Sequence, residues 1–284
     1  EKLNKMNICV VGDGVMGGGI VQTVAQSGFE VIWKGYNNET ISQAQDKLEK
    51  NLLFLLDKEI IDKVEKDAIS NRIKTTLSYD DCKACDIAIE VINENMELKK
   101  EVLKSLDKVC KPEAILATNT SSLSITEMAA ATNRPERVIG MHFFNPVHAM
   151  KLVEVIKGQL TDEKVHDTIY SFAEKIGKIP TTVNEAPGFV VNRILIPLVN
   201  EGIGVFAEGV ASRDEIDSAM KLGAAHPMGP LELADLIGLD VCLAIMEVLH
   251  IEFGDDKYRP HPLLRKMVRA NLLGRKTKEG FYKY

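Results

Sequence analysis

The chain has 284 residues, 45% hydrophobic and 27% charged, values ordinary for a soluble globular protein and enough length for two domains with a sizeable core. A formal charge of −6 argues against a general nucleic-acid binder, which needs a basic excess to displace phosphate counterions. No apolar run approaches the roughly 18 residues needed to cross a bilayer, so neither a membrane nor a nucleic acid is expected as a partner.

The start, Glu1-Lys2-Leu3-Asn4-Lys5-Met6, is polar and leads straight into a strand, which is not the pattern of a signal peptide. Residues 7–11 form an apolar, β-branched run that reads as a buried strand. Gly12-Asp13-Gly14-Val15-Met16-Gly17 follows, then a helical pattern up to Gly28 and a second strand over 29–33. This strand–turn–helix–strand frame is the context in which G-x-G-x-x-G holds a dinucleotide. Gly12 allows the tight turn, Gly14 lets backbone amides approach a pyrophosphate, and Gly17 lets the helix pack close to the sheet. The helix N-terminus then offers unpaired N–H groups to the phosphates.

Helical patterns rich in Lys and Glu run over 39–58 and 61–72, and 86–92 is another buried strand. An amphipathic helix over 97–109 precedes a strand at 114–117, the polar cluster Thr118-Asn119-Thr120-Ser121-Ser122 and a helix opened by the capping-box pattern Ser124-Ile125-Thr126-Glu127. Residues 138–141 read as a short strand ending at His142. From Phe189 onward the patterns are helical, over 189–209, 213–222, 230–249 and 260–272. The fold class is α/β: a Rossmann-like, doubly wound, mostly parallel sheet over residues 1–185, followed by a smaller all-helical domain over 186–284.

Five cysteines (Cys9, Cys82, Cys85, Cys110, Cys242) are odd in number and scattered, which suggests reduced thiols and a cytoplasmic location. Cys82-Lys83-Ala84-Cys85 has a redox-like spacing, but it lacks the helix start of a redox motif and the second pair of a zinc site, so it reads as coincidence. No metal constellation is present.

His142 stands at a strand end, and Glu154, about two helical turns further on, is a carboxylate in apolar company (Leu152, Val153, Val155, Ile156). A buried carboxylate is costly unless paired, and a histidine needs a partner to fix its tautomer. Each solves the other's problem, against the alternative that His142 is merely a packed residue. Ser121 lies where ligands of open α/β sheets bind, with helix capping as the alternative. Asn192 suits either a buried hydrogen bond between domains or a substrate contact. Glu94 and Lys99 suit hydroxyls near a nicotinamide ribose, or equally a solvated helix face.

Together Asn119-Thr120-Ser121-Ser122-Leu123, Gly140-Met141-His142-Phe143-Phe144-Asn145-Pro146, Ala186-Pro187-Gly188-Phe189-Val190-Val191-Asn192-Arg193 and His226-Pro227-Met228-Gly229-Pro230-Leu231-Glu232-Leu233 resemble the 3-hydroxyacyl-CoA dehydrogenase family, its short bacterial 3-hydroxybutyryl-CoA branch most closely. Gly274-Arg275-Lys276 and Gly280-Phe281-Tyr282 fit as well. The resemblance implies an NAD- or NADP-dependent enzyme that interconverts 3-hydroxybutyryl-CoA and acetoacetyl-CoA, with the S alcohol as substrate. His142 is the implied general acid/base and Glu154 its partner, with Ser121 and Asn192 on the reacting oxygen or thioester. Gly12, Gly14, Val15, Met16, Gly17, Gly35, Glu94, Lys99 and Asn119 are the implied cofactor contacts. Lys47 or Lys50 is the implied contact for an acyl-CoA, and a homodimer is expected through the helical domain.

Two departures bear on the cofactor. Asp13 stands where the family has a small residue, and Lys34-Gly35-Tyr36-Asn37 lacks the aspartate that ends the second strand and grips the adenosine ribose. Either NADP is accepted, with Lys34 nearby, or Asp13 reaches across and restores NAD preference. A dehydrogenase of another small 3-hydroxy acid and a non-catalytic nucleotide-binding relative are the alternative readings, since fold alone excludes neither.

Overall fold

The computed structural model describes residues 5–284, so most of the segment read as lacking a signal peptide lies outside the described residues. The chain divides into two compact units between Glu185 and Ala186.

The first unit is built on β1 (Asn7–Val11), β2 (Glu30–Lys34), β3 (Ile73–Thr76), β4 (Ile87–Glu90), β5 (Ile115–Thr118), β6 (Val138–Phe143), β7 (Leu152–Lys157) and β8 (Ile179–Asn184). These lie in one sheet in the order β3-β2-β1-β4-β5-β6-β7-β8. All pairs are parallel except β6–β7. Helices α1 (Val15–Gln26), α2 (Asn38–Asp57), α3 (Lys63–Asn71), α4 (Met96–Val109), α5 (Ile125–Ala130) and α6 (Glu163–Lys175) make the connections. Central strands β4, β5 and β6 are buried at every position, which explains their mainly apolar sequences; the polar exceptions Glu90, Thr118 and His142 lie toward their C-terminal ends. A continuous core joins β1, β2, β4 and β6 to α1, α2 and α6 through Ile8, Val24, Trp33, Leu48, Ile89, Met141 and Phe172.

Three strands and a helix escaped the sequence pattern. β3 and β8 are sheet edges of mixed composition, half-buried or alternating with solvent. β7 and α6 lie in the segment after His142, where Glu154 stands inside a strand instead of two helical turns along a helix.

The second unit consists of α7 (Val191–Ala207), α8 (Arg213–Gly223), α9 (Pro230–Ile237), α10 (Leu239–Phe253) and α11 (Pro262–Arg269). Residues 230–249, expected as one helix, are broken at Gly238, whose φ of +102° ends α9 and starts α10. The core here joins Ile196, Ile203, Leu231, Met246, Leu264 and Phe281. Buried Asp217 accepts from the N–H groups of Leu231 (2.8 Å) and Glu232 (3.0 Å) at the start of α9, and from the Tyr282 hydroxyl (2.6 Å). Asp235 accepts from the backbone of Phe281 and Tyr282, each at 2.9 Å. The Pro-Met-Gly-Pro and Gly-Phe-Tyr motifs thus meet on two buried carboxylates, and burial together with Asp217 pushes the Tyr282 phenol up.

Candidate active site

The glycine-rich turn joins β1 to α1. Gly12 has φ +135°, and a Cβ there would lie 2.1 Å from the Val91 carbonyl oxygen. A Cβ on Gly17 would lie 2.1 Å from the Gly12 carbonyl oxygen, which already accepts from the Trp33 indole at 2.8 Å. Gly14 differs: nothing in the protein lies within 4 Å of its missing Cβ. Two glycines close the turn, and the third keeps space on its open side. The N-cap of α1 is Gly14 itself, without a capping side chain or an acid in the first turn, so its amides and dipole are not spoken for.

A cavity of about 920 Å³ opens over this turn, and Gly12, Gly14, Val15 and Gly35 line it. Met16 faces the core instead. On α2 the lining residues are Thr40, Gln43, Ala44, Lys47, Leu48 and Asn51, a single helical stripe. Lys50 falls off that stripe and does not line the cavity; Lys47 does. On the other side Tyr79 contributes its ring, with the Lys34 ammonium 4.5 Å above it. Burial pushes the Tyr79 phenol up.

At the C-terminal ends of β4, β5 and β6 the polar residues form one saturated network. Glu90, fully buried at the end of β4, accepts from the Ile92 N–H (2.7 Å), the Lys99 ammonium (2.7 Å) and the Thr118 hydroxyl (2.6 Å). Lys99 also donates to the Ile92 carbonyl at 3.0 Å and has only 2% of its surface exposed, so it is not a solvated helix residue. Glu94 accepts from the Thr120 hydroxyl (2.5 Å) and the Ser121 N–H (2.8 Å), which fixes the loop carrying Ser121. The Asn119 side-chain oxygen accepts from the Phe143 N–H at 2.8 Å and ties β5 to β6.

His142 and Glu154 are directly opposite each other on antiparallel β6 and β7. His142 Nδ1 and Glu154 Oε1 are 2.9 Å apart, and both residues are at least 96% buried. The Phe144 ring packs against the imidazole at 4.5 Å between centroids. A carboxylate on Nδ1 fixes the neutral tautomer with its lone pair on Nε2, which is the arrangement for accepting and returning one proton. Asn192 is the second residue of α7 and half-buried in the second unit.

Sequence reasoning missed Glu90 and the α2 stripe. Glu90 left one signal, a carboxylate closing an apolar strand nine residues before a lysine. The Cys82/Cys85 spacing is not a pair: Cys82 Sγ lies 2.6 Å from Cys9 Sγ, and Cys85 Sγ lies 3.5 Å from Cys110 Sγ, all four buried thiols.

Family models agree with this architecture. The 3-hydroxyacyl-CoA dehydrogenase NAD binding domain matches residues 7–186, and the C-terminal domain of the same family matches 188–284. The chain is 58% identical over 279 residues to a 3-hydroxybutyryl-CoA dehydrogenase of Clostridioides difficile, covering 98% of this chain and 99% of that one. It is 38% identical to the human mitochondrial hydroxyacyl-coenzyme A dehydrogenase, over 100% of this chain and 93% of the other. The crystal structure of an (S)-3-hydroxybutyryl-CoA dehydrogenase from Ralstonia eutropha superposes with a TM-score of 0.96 at 48% identity, covering 99% of each chain.

Proposed function

The chain belongs to the 3-hydroxyacyl-CoA dehydrogenase family, and from that membership we propose that it interconverts (S)-3-hydroxybutyryl-CoA and acetoacetyl-CoA with NAD(H), using His142 as general acid and base. The observation that carries this reading is the buried His142–Glu154 pair on the sheet that also bears the glycine turn.

The turn fits a dinucleotide: Gly14 leaves room for a pyrophosphate, and the uncapped start of α1 offers it N–H donors. When bound, the nicotinamide supplies the hydride for reduction and accepts it in oxidation. The proton is the protein's to move. In oxidation His142 Nε2 takes the proton of the 3-hydroxyl, while Glu154 holds the ring and stabilises the charge it gains. In reduction the same nitrogen returns the proton to the 3-keto oxygen. A positioned acid/base of this kind contributes about 10²–10⁴-fold.

Ser121 and Asn192 hold the reacting oxygen or the thioester carbonyl. Glu94 borders the nicotinamide ribose, and Lys99 supports that edge through Glu90 and the Ile92 carbonyl. Lys47, on the cavity stripe, is the better candidate than Lys50 for the CoA phosphates. NADH is the preferred reductant over NADPH. The protein works as a homodimer in the cytoplasm: exposed Ile194, Val210, Leu222 and Ile251 on the helical unit support the first statement, and five unpaired cysteines support the second. No described helix is long and apolar enough to cross a membrane.

The test is His142→Gln. Turnover of acetoacetyl-CoA with NADH should fall by about 10²–10⁴-fold, while NADH and acyl-CoA binding persist in titrations. Undiminished turnover removes His142 from the chemistry.

A further inference from the structure

The end of β2 and the glycine turn are joined by a side chain that does not belong to either motif. Asp13 Oδ2 accepts from the Tyr36 N–H at 2.9 Å and from the Thr40 hydroxyl at 2.5 Å. A Cβ on Gly35 would stand 2.9 Å from that same oxygen and 2.6 Å from the Ile41 Cβ. The space an acid at position 35 would need is therefore filled, by Ile41 and by the Asp13 carboxylate itself.

We propose that Asp13 is the residue that selects NAD(H) over NADP(H) in this chain, its carboxylate delivered from the glycine turn to the space beside Gly35 that a side chain at that position would otherwise occupy. The inference rests on the dehydrogenase reading above. Both bonds fall on Oδ2; Oδ1 takes no hydrogen bond among the described residues, and Asp13 lines the cavity. That oxygen accepts the adenosine ribose hydroxyls, the task a carboxylate performs at the end of the second strand in dinucleotide folds.

The same arrangement disfavours a 2′-phosphate in two ways. The phosphate would meet a fixed negative charge at short range. It would also find the local donors already engaged. Tyr36 N–H and the Thr40 hydroxyl serve Asp13, and Thr40 N–H is bonded to the Asn37 side chain at 2.9 Å in the capping box that opens α2. Lys34, the cation nearest in sequence, keeps its ammonium over the Tyr79 ring.

The test measures dissociation constants for NADH, NADPH and 2′,5′-ADP by fluorescence titration and calorimetry, independent of turnover. The wild-type protein is expected to bind NADH at least about ten-fold tighter than NADPH. Asp13→Asn keeps the side chain's size and removes its charge, and it should narrow that ratio several-fold, mainly by tightening NADPH and 2′,5′-ADP. Should that variant misfold, the wild-type ratio still reports: a charge-based preference shrinks between about 50 mM and about 500 mM salt. Equal affinity of the wild type for NADH and NADPH, or an unchanged ratio in a folded Asp13→Asn, overturns the role of Asp13 alone. Failure of the wild type to bind either dinucleotide overturns the dehydrogenase reading as well.

Discussion

Glu154→Gln separates the two services that a carboxylate performs for a catalytic histidine. Glutamine retains an oxygen able to accept from His142 Nδ1–H across the 2.9 Å contact, so ring orientation and tautomer survive. What disappears is the negative charge. With charges about 4 Å apart and an effective dielectric near 20, the attraction between carboxylate and imidazolium is about 4 kcal/mol. That attraction acts fully only once the ring is protonated, so between about 2 and 4 kcal/mol of transition-state stabilisation is lost, which is about 30- to 1,000-fold in kcat. Because the overall equilibrium is fixed by the substrates, kcat/KM for oxidation and for reduction at one pH should fall by the same factor when dinucleotide affinity is unchanged. The assay follows NADH absorbance with acetoacetyl-CoA and with 3-hydroxybutyryl-CoA, alongside NADH titration to show an intact dinucleotide site. Glu154→Ala adds a second cost, since it leaves a buried N–H without its acceptor, about 1–3 kcal/mol of stability. A kcat for Glu154→Gln within about three-fold of wild type would refute the charge argument, because about 0.65 kcal/mol is all that it then supplies.

Two glycines of the turn, Gly17 and Gly14, should fail differently. Gly17→Ala drives a Cβ to within 2.1 Å of the Gly12 carbonyl oxygen and should cost about 1–3 kcal/mol of stability, read as a lowered Tm. Gly14→Ala meets no protein atom within 4 Å, so its Tm should match wild type while NADH affinity falls at least about ten-fold, because the methyl occupies the approach to the pyrophosphate; a lowered Tm with intact binding would reverse the assignment. At α8, bonds from the Ser212 hydroxyl and N–H hold the Glu215 carboxyl below its ordinary value. The unfolded chain therefore binds more protons in acid, so this stabilisation is full above the ordinary carboxylate range and is lost as pH falls through the depressed folded value. The Tm deficit of Glu215→Gln relative to wild type should accordingly be largest near about pH 7 and shrink toward about pH 3; a deficit independent of pH would count against the linkage.

How much of the fold and site is legible in the sequence differs from residue to residue, for physical reasons. The glycine turn announces itself because steric demand selects one residue type at each of three positions. The need of His142 and Glu154 for each other is also readable, since burial of a charge requires a partner wherever the chain puts it. Their geometry is not: a cross-strand pair through an eight-residue connection, between Phe143 and Leu152, leaves no periodic trace. Glu90 leaves only a weak trace because a strand-terminal carboxylate looks like a boundary residue until Lys99, Thr118 and the Ile92 amide are seen around it. Lys50 is a matter of phase. Positions 40, 43, 44, 47, 48 and 51 share one helical face, and that spacing by itself favours Lys47 over Lys50. Gly238 splits a helix that its apolar flanks make continuous, since a positive φ has no signature beyond glycine itself.

The network around Glu90 bears on why the proposed acid/base pair and the glycine turn sit on one sheet. In the strand order, β1, β4, β5 and β6 are successive neighbours, so the turn at the end of β1 and His142 near the end of β6 are three strand spacings apart, about 14 Å. That interval is set by ladder hydrogen bonds, whose register cannot drift without moving buried side chains to the wrong face. Glu90 links the end of β4 to β5 through Thr118, and Asn119 links β5 to β6 through the Phe143 N–H. Each bridge lies at the C-terminal edge, where the ladder stops and the strand ends would otherwise fray. A buried carboxylate with three donors is costly to displace, because each broken bond leaves a desolvated polar group. The polar saturation of this edge therefore carries the precision of the sheet beyond its last backbone pair, out to the residues proposed to touch substrate and cofactor.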